Sequence, residues 1–151
     1  MNIVKAGEGQ WAQVMDKGPF GLKKRTLVGG KLGISQWELL PGKKSFPFHK
    51  HHVTEEALYV LSGTCKVRGA DGIVPIGPGD FVSFPAGGSP HQLINDGTEP
   101  CVFLGISAGQ GFDIVEYPDS KKVAASMGAP GAGKRFVFEE GTQVDYFKGE
   151  V

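Results

Sequence analysis

This chain has no excess of charge. Its 151 residues hold 16 Lys+Arg against 16 Asp+Glu. Lys23-Lys24-Arg25 and Lys121-Lys122 gather cations, and such short runs read as solvated surface. A balanced chain without a basic stripe gives no electrostatic case for binding nucleic acid or an anionic membrane. Long apolar runs are also missing. None approaches the roughly 20 residues that span a bilayer. The start, Met1-Asn2-Ile3-Val4-Lys5-Ala6, lacks the apolar core of a signal peptide, so a cytoplasmic location is expected. Cysteine is scarce, with Cys65 and Cys101 both in apolar, strand-like runs. They read as small core residues in a reducing compartment, with a disulfide left open and neither placed as a nucleophile. Helical signal is nearly absent too. The one candidate is Ser120 to Met127, preceded by Pro118 and followed by Gly128.

Turn formers are plentiful, with 24 Gly and 10 Pro dispersed between short apolar runs. That pattern means many tight turns and many short strands. Strands are expected at 33–40, 46–52, 58–61, 64–68, 73–76, 81–84, 91–94, 101–106 and 112–117. Asp71-Gly72 and Asn95-Asp96-Gly97 supply hairpin signals between them. Spacing of about ten residues between turn signals indicates an all-β sandwich or barrel. A single domain of this length can enclose one core. The expected parts are an N-terminal arm (1–32, with a strand near Thr26–Val28), a core barrel (33–117), a surface loop (118–135) and C-terminal strands (136–151, including 136–138 and 144–147).

All four histidines fall in two segments. His49, His51 and His52 crowd together, with Glu55-Glu56 close behind, and His91 follows Pro85-Ala86-Gly87. Side chains on a strand alternate, so His49 and His51 face one side and His52 the other. Imidazole is the commonest protein metal ligand and suits zinc, iron, nickel and copper. Two histidines on one face, a nearby carboxylate and a histidine from a second strand can form an open-sided metal site. Three neutral imidazoles and one carboxylate leave a divalent ion with a net charge of +1. Such a site favours bidentate anionic oxygen ligands and can polarise a carbonyl.

The spacing reads Gly42-x6-His49-x-His51-x4-Glu56-x6-Gly63, then Gly79-x5-Pro85-x-Gly87-x3-His91-x3-Asn95. This pair resembles the two signatures of the cupin superfamily, with one extra residue before His49 and one before His91, both in turn regions. Further runs, Phe46 to His52, Pro85 to Asn95, Glu116 to Lys121 and Asp145 to Glu150, resemble one group of small single-domain bacterial cupins. The resemblance implies a double-stranded β-helix, or jelly roll, of six to eight strands. It implies His49, His51, Glu56 and His91 as ligands of one divalent transition metal (iron, manganese, nickel or zinc), with Glu55 facing away. It also implies a homodimer, and the strand-rich termini could pair with a partner's sheet edge. The expected function is metal binding with a small oxygen-rich ligand or substrate, in a dioxygenase, an isomerase or a decarboxylase. The alternative is a non-catalytic binding or sensor module.

Gly128-x4-Gly133-Lys134 imitates a phosphate-binding loop. It lacks the Ser or Thr after the lysine and the helix that should follow, so a glycine loop that could cap the barrel mouth is the better reading. Phe46, Phe48, Tyr59, Phe84 and Phe103 should serve mainly as core or dimer interface, with one or two lining a pocket. Trp37 and Gln92 read as structural. Asn95 reads as a turn former.

Overall fold

The computed structural model describes residues 1, 3–5, 7–109, 111–128 and 133–150. Among the described residues, thirteen strands and one short 3-10 turn, Pro118–Ser120, make up the regular structure. The strands are β1 (Ala12–Lys17), β2 (Phe20–Val28), β3 (Leu32–Leu39), β4 (Lys50–His51), β5 (Glu55–Ser62), β6 (Cys65–Gly69) and β7 (Gly72–Ile76). Then come β8 (Phe81–Phe84), β9 (Gln92–Ile94), β10 (Cys101–Ala108), β11 (Phe112–Tyr117), β12 (Lys122–Met127) and β13 (Lys134–Glu139). No helix among the described residues is long and apolar enough to cross a membrane.

One layer is a six-stranded sheet in the order β1-β2-β3-β10-β5-β8. The other combines a four-stranded sheet, β13-β12-β11-β4, with a three-stranded sheet, β7-β6-β9. His49 and His91 join these two smaller sheets by an isolated antiparallel bridge, each N–H donating to the other's carbonyl at 3.1 and 2.8 Å. Alternation fills the space between the layers. Leu22, Leu39, Leu58, Val60, Cys101 and Phe103 project from the large sheet onto Cys65, Ile76 and Leu93. Burial of such side chains contributes on the order of 2 kcal/mol each. Both cysteines are free and buried, as core residues should be.

Four departures from the sequence reading stand out. The N-terminal arm carries two strands, and β2 is long and central enough to pair with both β1 and β3. Its basic run hid the alternation: Leu22 points inward, while Lys23 pairs with Glu38 at 2.7 Å and Lys24 lies 5.0 Å from the Trp37 ring centre. The helix expected over Ser120–Met127 is instead β12. Its Ala124 is packed against Val115 and Tyr117 of β11, so tertiary packing overrides the weak strand preference of alanine. The 118–135 segment therefore carries β12 and the start of β13, with β12 entered through Lys121 in the left-handed region (φ 48°). Residues 144–147 form no strand. The glycine segment 128–134 lies between β12 and β13 and leads into a strand where a phosphate loop would open a helix. Its centre, 129–132, where a lid would sit, falls outside the described residues.

Candidate metal centre

His49 reaches the interior because its backbone is locked to His91, and His51 because β4 pairs with β11 through Val115. The Pro85-Ala86-Gly87 turn adds a second tie. Gly87, at φ 70°, donates its N–H to the His51 carbonyl at 2.7 Å. Glu56 comes from the opposite layer, on β5, with Phe84 and Ser107 directly across from it. The cluster thus spans both layers.

Glu56 Oε2 lies 3.9 Å from His49 Nε2, 3.4 Å from His51 Nε2 and 3.3 Å from His91 Nε2. His49, His51 and Glu56 each offer a donor atom within 4.8 Å of the other two, and His91 joins them through Glu56. Ligands about 2.1 Å from one ion, at angles near 90–110°, stand about 3.0–3.5 Å apart. The spacings to His51 and His91 fall in that range, and the spacing to His49 is slightly wider.

Two ring orientations are fixed by acceptors that cannot donate. His49 Nδ1–H donates to the Pro47 carbonyl at 2.7 Å, and His51 Nδ1–H to Asp113 Oδ2 at 2.5 Å. Asp113 is itself held by the Val53 N–H at 3.0 Å. In the neutral rings, each Nε2 therefore turns a lone pair toward the Glu56 carboxylate. Lone pairs and a carboxylate oxygen repel at this range unless a cation lies between them. A divalent ion meets that need, and the His51–Asp113 pair matches the carboxylate support common behind metal-bound histidines. His91 is held differently. Its ring stacks on Phe84 at 3.7 Å and 10°, and its Nδ1 is buried without a hydrogen-bond partner among the described residues.

Electrostatics follow from this enclosure. Burial, reinforced by the neighbouring His91, pushes His49 down to about 4. Burial alone would raise the Glu56 carboxyl. The hydrogen bond from His91 and the charges of His51, His49 and His91 outweigh it, and Glu56 stays below the usual carboxylate range. Asp113 is likewise pushed up by burial, but hydrogen bonds from His51, Thr54 and Val53 hold it below its ordinary value. A cavity of about 390 Å³ lies against the outward-facing side of the six-stranded sheet, lined chiefly by Glu55, Ala57, Phe81, Ser83 and Ile106, on the other side of β5 from the histidine cluster.

Known proteins share the sequence pattern and the fold of this chain. The Cupin domain family pattern matches residues 35–107. A putative sugar phosphate isomerase from Acidithiobacillus ferrooxidans is 31% identical, with 82% of this chain and 80% of that one covered and a TM-score of 0.69. The chain belongs to the cupin superfamily. A sugar phosphate isomerase of the same superfamily from Silicibacter pomeroyi aligns over 96% of this chain and 98% of its own, at 20% identity and a TM-score of 0.78. A predicted oxalate decarboxylase from Thermotoga maritima aligns over 72% of this chain and all of its own, at 23% identity and a TM-score of 0.64. These two show the shared fold. No curated protein matches the chain.

In this cupin, the residues read as facing away do so. His52 Nε2 meets Glu116 at 2.6 Å outside the cluster, and Glu55 is exposed. Asn95 is more than a turn former. Fully buried, it donates to the Leu39 and Glu99 carbonyls and accepts from the Gly97 N–H. Gln92 is structural, donating to the Phe46 carbonyl at 2.9 Å. Of the aromatics, Phe84 stacks on His91, Phe46 packs edge-on to both His49 and Trp37, and Tyr59 is exposed. Three residues near the site escaped the sequence reading: Asp113, Tyr117 and Arg135. Tyr117 stacks near His49 at 6.2 Å, and Arg135 donates to its hydroxyl. Inward alternation on β11 was the available signal for Asp113 and Tyr117. Nothing in the sequence marked Arg135.

Proposed function

We propose that this cupin holds one divalent transition metal through His49, His51, Glu56 and His91 and presents it to a small oxygen-rich molecule, a carboxylate, a catechol or a sugar-like compound. The observation that carries the proposal is the convergence of three Nε2 atoms on Glu56 Oε2, two of them with their tautomers fixed from behind. Bound there, the ion would act as a Lewis acid toward ligand oxygens. The chain's own groups do the rest. Asp113 keeps the proton on His51 Nδ1, and Phe84 holds the His91 ring flat. Arg135, beside the Tyr117 hydroxyl, supplies a positive charge suited to an anionic ligand. Similarity to the Acidithiobacillus protein favours the sugar-like class.

Non-catalytic ligand binding is the second reading, and a specific observation favours it. Asp113 and Glu56, the carboxylates at the centre, are both engaged by histidines. That leaves Tyr117 as the nearby proton-transfer group, and burial pushes its hydroxyl up, away from easy ionisation. Elemental mass spectrometry of untagged protein, with His51→Ala in parallel, tests the metal. About one ion per chain, lost in the variant, is expected. Little metal in either protein after reconstitution with iron, manganese, nickel and zinc would sink the reading. Turnover of phosphorylated sugars or 2-oxo acids by the loaded protein then separates enzyme from binder.

A further inference from the structure

Strand β13 is exposed at all six residues. It pairs with β12 on one edge, and among the described residues nothing pairs with the other. The bond from Glu140 N–H to the Lys121 carbonyl sets the phase of the ladder. Even-numbered residues of β13 bond to β12, so the N–H and C=O groups of Arg135, Val137 and Glu139 point outward from the sheet edge. Phe136, Val137 and Phe138 are 45%, 53% and 53% exposed. A strand with open backbone groups and exposed apolar side chains is a template for another strand.

We infer that β13 pairs antiparallel with β13 of a second copy of this chain, about a two-fold axis at Val137. A two-fold axis perpendicular to a sheet preserves its faces, so a residue meets another of the same face. Centred on Val137, Lys134 lies opposite Glu140, Arg135 opposite Glu139, and Phe136 opposite Phe138. All four cations of the pair then meet carboxylates. The phenylalanines form cross-strand pairs on the face that also carries exposed Phe112, Ile114 and Met127. Centred on Phe136 instead, Lys134 faces Phe138 and Arg135 faces Val137, and no charge is matched. The outward backbone groups of residues 135, 137 and 139 bond to one another in the Val137 register. The same cations deter pairing with unrelated edges, so the strand is selective for its own copy. The product is one eight-stranded sheet across two chains. It immobilises the strand that brings Arg135 to Tyr117.

The test is sedimentation velocity on the full chain at micromolar concentration. Wild type should be dimeric. Glu139→Arg/Glu140→Lys makes the edge wholly basic and Lys134→Glu/Arg135→Glu makes it wholly acidic. Each should weaken association at least tenfold, and mixing the two should restore a one-to-one heterodimer. Lys134→Glu/Glu140→Lys exchanges partners within the register and should stay dimeric, which separates lost pairing from misfolding. A monomeric wild type overturns the inference. So does dimerisation of either like-charged variant, which would place the contact on another face such as the outer side of the six-stranded sheet at Tyr59 and Phe81. Failure of the mixture to associate overturns it as well.

Discussion

The histidine bridge and the C-terminal hairpin are both antiparallel strand pairings, yet they stand at opposite ends of self-sufficiency. At the bridge, His49 and His91 are buried, bonded backbone to backbone, and backed by Pro47, Asp113 and Phe84. In the hairpin, every residue of β13 is exposed and its outer edge is unpaired among the described residues. The difference lies in enclosure. Strand β4 is only two residues long, but the opposite layer and the 85–87 turn close over it. Strand β13 is six residues long and has a neighbour on one side only. Length and β-propensity alone do not settle where a chain is rigid.

The largest blow to the enclosed region should come from Gly63→Ala. Gly63 sits at φ 72°, and a Cβ there would overlap the Pro100 carbonyl oxygen, a backbone atom with no room to yield. A loss of about 3 kcal/mol or more is expected in urea denaturation. A loss under 1 kcal/mol would mean the turn relaxes freely, and the contrast with the hairpin would collapse.

Asp113→Asn sharpens the contrast at the centre itself. An amide can still bond to His51 but no longer enforces its tautomer or adds negative charge. Metal affinity should fall about 10–100-fold while the fold persists. Competition against a chromogenic chelator reads this directly, and unchanged affinity would remove Asp113 from the support of the site.

Acidification is the mildest probe. His49 is held near 4, below its unfolded value of 6.5, so between those values the unfolded chain binds the extra proton. Stability is therefore full above about pH 6.5 and declines as pH falls toward 4. Glu56, also depressed, acts in the same direction, its contribution being lost as pH falls through its folded value. Metal-free protein should lose on the order of 1–2 kcal/mol between pH 7 and pH 5. A denaturation midpoint that does not move would show that His49 is solvated. Glu139→Arg/Glu140→Lys should leave this profile unchanged, since neither residue is among the groups that shift His49 or Glu56.

The sequence made the centre legible and the periphery much less so. His49, His51, Glu56 and His91 could be picked out because the histidines are few and sit at strand spacing, and the motif glycines sit at positive φ where turns demand them. Strands β8 and β11 were readable to the residue because turn signals bracket them. Strand β2 was concealed by Lys23-Lys24-Arg25, whose cations find partners in Glu38, Trp37 and Gln36 of the adjacent strand, a context no local pattern contains. Strand β12 looked helical because Val-Ala-Ala carries little strand signal until Tyr117 and Val115 pack against it. Asp113 was read as one more strand residue. Its role depends on a pairing between β4 and β11 that spans more than sixty positions.

The bridge between His49 and His91 bears on the order of events in the life of this molecule. The long loop between those residues is closed by main-chain bonds, so closure does not wait for an ion. Folding and loading are then separable steps. If the proposed function holds, an ion can leave and another take its place without the chain coming apart. Under the proposed function, occupancy follows whichever metal the cell supplies at the moment, and the history of folding leaves no imprint on it.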